Sequence, residues 1–320
     1  MSLFQTEAWQ KSWWEVWGDT PGFQLLSDGG RGRSGLYLDR YRLRKLLPIR
    51  CLQFVGTNYR RLSTPRTEYN GFGAAGSLGS LFDDLDQSHW SEAVFRDMRV
   101  NSGDFRALKA VARERGWLVR TVASDDAYSI STSGGFDDYL SSLGSNTRLK
   151  FYNRRKLLQA EGHIELKNFW PSQRGDFFTL LNQFHGHRWG RPCFNNDSLL
   201  FHGQFLSRIE KEGGVPELSV LTCNHKAISV LYNVMFQGVT YNIQSGFDES
   251  FHRKIALGTL HLGYSVEKAF DNPAVHTFDM LAGGGKNENY KERLANRTDP
   301  LISVMVVRSR LLKRLYLLKG

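Results

Sequence analysis

The chain has 320 residues, 41% of them hydrophobic and 23% charged. That is the composition of a folded globular protein with room for about two domains, and it excludes disordered, collagen-like and disulfide-stapled classes. Lys and Arg exceed Asp and Glu by 42 − 32 = +10, an excess that suits an anionic partner: a phosphate-bearing cofactor, a nucleic acid or a membrane surface.

The three cysteines, Cys51, Cys193 and Cys223, are odd in number, far apart and form no CxxC pair. This argues against a disulfide framework and against a zinc site, and no metal is expected. The longest apolar run, Leu301 to Val307, is interrupted by Ser303 and falls far short of the ~20 residues that a bilayer requires. The opening MSLFQTEAWQKSWWEVWGD lacks the basic region and apolar core of a secretory signal, so the cytoplasm is the expected compartment, without stable membrane insertion.

In chain order, Phe4 to Trp17 predicts a helix with Trp9, Trp13, Trp14 and Trp17 on one side, capped by Thr6 and stopped by Gly18. Strand-like runs follow at 23–26, 34–38 and 51–55, separated by basic loops. GFGAAGSLG, from Gly71 to Gly79, is a glycine-rich loop without the Lys-Ser/Thr ending of a phosphate-binding loop. Residues 93–100 read as a strand. Ser102 or Asp104 caps a helix that ends at Gly116, and Trp117 to Val122 returns as a strand. Ala123 to Gly135, rich in Ser, Asp and Gly, reads as the start of an interdomain connection, dividing the chain into 1–135 and 136–320.

The second part begins with a short helix at 137–143. Asn146 to Gly162 then predicts one helix with Leu149, Tyr152 and Leu157 on one side and Arg148, Lys150, Arg154, Arg155 and Lys156 on the other. A strand at 164–169 and helices from Arg174 and Asn196 lead to three strands at 217–223, 226–236 and 240–246. Asn224-His225 and Gln237-Gly238 between them have hairpin spacing. A helix opens near Gly258-Thr259, strands fall at 275–281 and 301–307, and a glycine-rich loop with Gly283, Gly284 and Gly285 lies between them. From Lys291 to Gly320 eight bases face Glu292 and Asp299, 8 − 2 = +6, and Ser309 to Leu318 mixes leucines with bases in the manner of an amphipathic helix that docks on its own domain or meets a membrane surface.

The order β-α-α-β-β-β-α-β-loop-β resembles the GNAT acyltransferase fold. The pieces NTRLKFYNRRKLLQAEG, LNQFHGHRWG, AISVLYNVMFQGVTYNIQSGFDE, IALGTLHLGYSVEKAF and FDMLAGGGKNENYK occur in the order seen in the CelD-type acetyltransferases of cellulose and exopolysaccharide biosynthesis, and FQTEAWQKSWWEVWG resembles that family's opening helix. The resemblance implies an α/β (α+β) fold of tandem GNAT-like domains, each a mixed twisted sheet flanked by helices. It also implies kinship with the FemABX transferases, which take an aminoacyl group from tRNA. Two departures stand out: the loop after FDMLA is lengthened by glycines, and Arg253-Lys254-Ile255-Ala256-Leu257-Gly258-Thr259 replaces the usual pyrophosphate-loop pattern.

The activity so implied is transfer of an acyl group, acetyl in the first instance, from acyl-CoA to an amine on a sugar, amino acid or small metabolite, by direct attack. Arg253, Lys254, Gly258 and Thr259 stand where the donor's pyrophosphate would meet a helix N-terminus, or form a plain turn with two solvated bases. Gln244 and Ser245 end a central strand whose free backbone N–H would polarise the thioester. Asp279, between Phe278 and Met280, reads as a partly buried base or amine anchor, or as a structural carboxylate. Tyr290 would protonate the leaving thiolate and Lys291 hold an anion. His187, Arg188 and Trp189 suggest an acceptor site, with His187 the catalytic candidate. Arg148, on the basic helix, would grip donor or acceptor. The alternatives are a transferase that uses aminoacyl-tRNA, consistent with the +10 charge, and a non-catalytic scaffold on the same fold.

Overall fold

The computed structural model describes residues 1–73, 75–283 and 290–318. Gly284–Asn289, which make up most of the lengthened loop, and Ala74, Lys319 and Gly320 lie outside the described residues. The chain forms two compact units. One comprises Met1–Asp126, Leu200–Arg208 and Asp299–Gly320, and the other Ala127–Leu199 and Ile209–Thr298.

The first unit holds helix α1 (Glu7–Trp17), strands β1 (Phe23–Ser27), β2 (Leu36–Leu43) and β3 (Leu47–Phe54), helix α2 (Leu78–Leu85), strand β4 (Glu92–Arg99), helix α3 (Gly103–Glu114) and the first part of strand β5 (Leu118–Ser131). Thr6 caps α1 by accepting from the Trp9 amide, and Ser102 caps α3 by accepting from Phe105. The basic stretch between the second and third strand-like runs is not a loop. It is a hairpin paired from Leu36↔Phe54 to Leu43↔Leu47, because its Arg side chains alternate outward with Tyr41, Leu43 and Ile49 between them. Period-two alternation also builds the two faces of the sheet. Leu36, Leu38, Leu52, Phe54, Phe95 and Val304 face helices α2 and α3, while Ile49, Cys51, Val94 and Met305 face the other way.

Residues 123–131 are strand, not connector: β5 runs unbroken from Leu118 to Ser131, and the passage from one unit to the other falls inside it, between Asp126 and Ala127. The second unit continues with helices α4 (Phe136–Ser142), α5 (Ser145–Arg148) and α6 (Arg155–Ala160), strand β6 (Ile164–Asn168), helix α7 (Arg174–Trp189) and helix α8 (Asn196–Ile209). Most of α8 belongs to the first unit, where Phe201 and Phe205 each meet Trp9 edge-on with ring centroids 4.9 Å apart. Strands β7 (Val215–Cys223), β8 (Lys226–Phe236) and β9 (Val239–Phe247), helix α9 (Leu257–Asp271), strand β10 (Thr277–Ala282) and helix α10 (Tyr290–Leu294) complete the second unit. Strand β11 (Arg297–Val307) and helix α11 (Arg310–Leu317) then return the chain to the first.

Strand order in the first unit is β1-β2-β3-β4-β11-β5, and in the second β5-β10-β9-β8-β7-β6. Both are mixed: β3–β4 and β9–β10 are parallel, and the other registered neighbours antiparallel. The two hairpins of the second unit turn at Asn224-His225 and Gln237-Gly238, whose positive φ angles of 49°, 65°, 47° and 75° match the strand twist. The expected element order from β6 to β11 is the observed one, except that the short helix α10 stands between β10 and β11 where the sequence predicts only a loop.

His261 of α9 is buried, with Ser219 Oγ 3.0 Å from its Nε2 and Ser229 Oγ 3.0 Å from its Nδ1. Burial lowers its pKa to about 3, and that of the buried His202 likewise. In the unfolded chain both titrate near ~6.5. Between these values the unfolded state binds protons that the folded state refuses, so stability is full above pH ~6.5 and falls as pH drops toward 3, by about 1.4 kcal/mol per unit for each group. Urea unfolding midpoints are therefore expected to fall from pH 7 to pH 5, and His261→Gln to flatten that slope. A variant slope equal to the wild-type one would show that His261 does not contribute.

Candidate functional site

The site starts from a failure of strand pairing. β9 is paired with β8 along its length, with one slip: Asn233↔Asn242 is followed by Tyr232↔Gln244, which leaves Ile243 as an extra, bulged residue. On its other side β9 is parallel to β10 only from Val239 to Tyr241, against Thr277 to Asp279. Beyond Tyr241 the two strands have no registered pair among the described residues. β10 also bulges against β5 between Asp279↔Ser129 and Ala282↔Ala127, with Leu281 in the left-handed region at φ 60°. Residues Asn242–Phe247, Ala282 and Gly283 line a cavity of about 760 Å³ in the opened gap.

The other walls come from helices. Gly258 and Thr259, in the first turn of α9, and Leu262 line one side. Amides in a helix's first turn have no partner within the helix. Gly258 fits there because a Cβ would stand 2.5 Å from the ring of Phe247. Tyr290 and Lys291 of α10 and His185, Arg188 and Trp189 of α7 form further parts of the wall. Four Lys or Arg residues line the cavity, Lys150, Arg188, Lys291 and Arg293, and no Asp or Glu does so among the described residues.

Several side chains stand in for the missing strand partners. The amide of Ser245 donates to Oε1 of Gln244 at 3.0 Å, and Gln244 Nε2 donates to Cys193 Sγ at 3.2 Å. Burial pushes the Cys193 thiol up to about 11, so it is neutral at physiological pH. Lys291 Nζ donates to the carbonyls of Leu281 and Ala282 at 3.1 and 2.9 Å. The Leu281 amide donates to Asp279 Oδ1 at 2.8 Å. Burial raises the pKa of Tyr290, partly opposed by the nearby Arg188, which keeps its hydroxyl protonated. Arg188 pairs with Glu249 at 3.0 Å and lies over the ring of Phe247 at 4.9 Å.

Of the residues singled out in the sequence, Gln244, Ser245, Gly258, Thr259, Arg188, Trp189, Tyr290 and Lys291 meet in this cavity. Asp279 is buried on β10 and bound to the Leu281 amide, outside the cavity wall. Arg253 and Lys254 are exposed in the turn before α9, and His187 is exposed on α7; none of the three lines the cavity, nor does the half-buried Arg148. The histidine that does is His185. Its Nδ1 lies 2.9 Å from the Arg191 carbonyl and its ring stacks on Trp189. A carbonyl can only accept, so Nδ1 carries a proton, and in the neutral ring that makes Nε2 the acceptor. Two residues earlier than His187, it was separable from it only by knowing which face α7 turns inward.

Asn146, Thr147 and Lys150 were also not distinguished from their neighbours, because the expected single helix over 146–162 is three pieces. A π-turn at Leu149–Asn153, closed by the Arg154 amide on the Leu149 carbonyl at 3.2 Å, separates α5 from α6. The extra residue rotates the pattern. Phe151 and Leu158 are the buried side chains, Leu149 is exposed, and Lys150 reaches the cavity wall. The turn lies against α9 at Gly263, where a Cβ would run into the Phe151 carbonyl.

Residues 145–292 match the family model described as "Acetyltransferase (GNAT) domain". Among curated proteins none matches the sequence. The whole chain is similar to the solved structure of FemX, at 12% identity and a TM-score of 0.61, with 98% of each chain covered. The fold is GNAT-like. It is also similar to L-PGS from Bacillus licheniformis (10% identity, TM-score 0.52, 97% of this chain and 93% of that one). The C-terminal domain of a putative lysylphosphatidylglycerol synthetase from Agrobacterium fabrum is similar at 9% identity and a TM-score of 0.51, with 97% and 89% covered. At these identities the likeness is one of fold.

Gly263→Ala is expected to destabilise the second unit by about 1–3 kcal/mol, since the added methyl forces α9 and the π-turn apart. Gly144→Ala, where no atom lies within 4 Å of the added Cβ, is the matched control. Equal unfolding midpoints for the two variants would show that the close approach is not needed.

Proposed function

We propose that the protein is an N-acyltransferase that moves an acyl group from acyl-CoA to an amine by direct attack, within the CelD-type branch that the sequence resembles. The observation that carries this reading is the parting of β9 from β10 into a cavity whose described wall holds four Lys or Arg residues and no Asp or Glu. The residues fit a thioester carried on a phosphate-bearing group: an unladdered strand amide at Ser245, a helix N-terminus at Gly258 and Thr259, and the lining cations Arg188, Lys291 and Arg293 of α7 and α10. When bound, acyl-CoA supplies an activated carbonyl and a leaving thiolate. The Ser245 amide, released from Gln244, donates to the carbonyl oxygen. His185 Nε2 accepts the proton of the amine, and Tyr290, kept protonated by burial, donates one to the departing sulfur. Cys193, neutral and hydrogen-bonded to Gln244, has no part in covalent chemistry on this reading.

The likeness of fold to the FemX structure over both chains' lengths, with the FemABX kinship that the sequence resemblance implies, favours a second reading, in which aminoacyl-tRNA is the donor. Thermal unfolding with excess CoA and acetyl-CoA separates the two. At ~100 times its dissociation constant a ligand stabilises by about 2.7 kcal/mol, a shift of roughly 4 °C for a chain of this size. A shift with acetyl-CoA is expected. No shift, with binding of aminoacyl-tRNA that weakens steeply with salt, would replace the first reading by the second.

In turnover assays that detect free thiol, Tyr290→Phe and His185→Gln are each expected to lower kcat by about 10²-fold with acetyl-CoA affinity unchanged. Because the Tyr290 pKa is raised, its contribution is expected to persist through pH 9 and to vanish only above ~10. Full activity in Tyr290→Phe would move the acid elsewhere.

A further inference from the structure

The cavity wall contains a cation to which the reading above gives no role. Lys150 is half-buried on the π-turn, lines the cavity, and has no ion pair or hydrogen bond among the described residues. Arg188 and Lys291 differ, being held by Glu249 and by the Leu281 and Ala282 carbonyls. A partly desolvated ammonium is costly without a counter-charge, and the described wall offers it no carboxylate. Its neighbours in the wall, Asn146 and Thr147, add an amide and a hydroxyl as neutral donors. The conformation that brings Lys150 there is itself uncommon: π-turns are rare and concentrate at functional sites, and this one is fitted to α9 by Gly263. Meanwhile Arg253 and Lys254, the bases that the sequence sets beside the Gly258 helix, lie outside the wall.

We infer that Lys150, with Asn146 and Thr147, forms an anion-binding subsite of the cavity that takes a phosphate or carboxylate group of a substrate. The inference deepens the acyltransferase reading and rests on it for the source of the anion. That source is either the diphosphate of the donor or an acid group carried by the amine acceptor. In both cases Lys150 supplies from the π-turn the charge that the departed loop pattern does not bring into the cavity.

The test is calorimetric titration at low salt of wild type, Lys150→Met, Lys150→Arg and Lys156→Met, the last an exposed base on the same stretch outside the cavity wall. The probes are inorganic pyrophosphate, CoA, and the pair glucosamine 6-phosphate and glucosamine in the presence of acetyl-CoA. Loss of a charge-assisted hydrogen bond predicts binding about tenfold weaker or more in Lys150→Met, recovery in Lys150→Arg, and less than a twofold change in Lys156→Met. A loss seen with pyrophosphate and CoA assigns the anion to the donor. A loss confined to glucosamine 6-phosphate, with glucosamine unaffected, assigns it to the acceptor. The subsite is overturned if Lys150→Met binds all three anions as wild type does, if Lys156→Met is as damaging, or if wild type binds none of them. Pyrophosphate bound through Lys150 by a protein that ignores CoA and acetyl-CoA would instead retire the acyl-CoA donor and leave the subsite standing.

Discussion

Everything distinctive about the second unit depends on two neighbouring strands that stop pairing. A parallel ladder broken after Tyr241 and Asp279 leaves backbone donors and acceptors without partners in the middle of a sheet, and each such group, if buried and unmet, costs about 1–3 kcal/mol. The protein meets them with side chains. Gln244 takes the Ser245 amide, Asp279 takes the Leu281 amide, and the Lys291 ammonium takes the Leu281 and Ala282 carbonyls. These three side chains, through four hydrogen bonds, offset the cost of the gap, and the left-handed Leu281 is the strain that remains. On this account Asp279 keeps the strand end open without facing the cavity.

The opposite wall is held by close approach instead of hydrogen bonding. α9 lies so near its neighbours that Gly258 admits no Cβ against Phe247, and Gly263 none against the Phe151 carbonyl. The buried face of α9, with Leu260, Val266 and Ala269 alongside His261, which itself meets Ser219 of β7 and Ser229 of β8, fixes its axis. The two glycines let that axis come close enough for the first turn to reach the gap. A helix end placed by apolar packing and a strand edge freed by a bulge are independent devices, and the cavity exists where they coincide.

Much of this was legible in the chain. The largely apolar runs at 217–223 and 226–236, the Asn224-His225 and Gln237-Gly238 turns, and the cap before the helix at 103–114 all declare themselves locally. So the element order and the assembly of Gln244, Ser245, Gly258, Thr259, Tyr290 and Lys291 into one place followed from recognising which fold that order builds. What was not legible depends on a single residue's phase. The π-turn adds one residue to a helical repeat, and that is enough to exchange Leu149 for Phe151 as the buried side chain and to turn Lys150 instead of Arg148 into the wall. His185 and His187 present the same problem on α7, where i and i+2 point to different sides and periodicity alone does not say which side matters. The hairpin at 36–54 and the strand through 123–131 were hidden for a different reason. Bases and small polar residues suggest loops until alternation over the whole run is counted.

The stand-in bond at Ser245 bears on how such a site favours reaction over mere binding. On the proposed reading, a substrate carbonyl that takes the Ser245 amide must first displace Gln244 Oε1, also a neutral amide-type acceptor. The exchange is close to even in the ground state, so this amide adds little to affinity, and affinity must come from elsewhere, from the cations around the cavity. As the amine attacks, the carbonyl oxygen gains negative charge, and a hydrogen bond to a charged acceptor is roughly twice as strong as one between neutral groups. The same amide thereby discriminates the transition state from both the bound substrate and the resting side chain, which is the condition for a contact to raise the rate and not only the occupancy. On the same reading Gln244 returns when the product leaves, so that the strand amide does not go unmet between turnovers and the gap is kept at no further cost to stability.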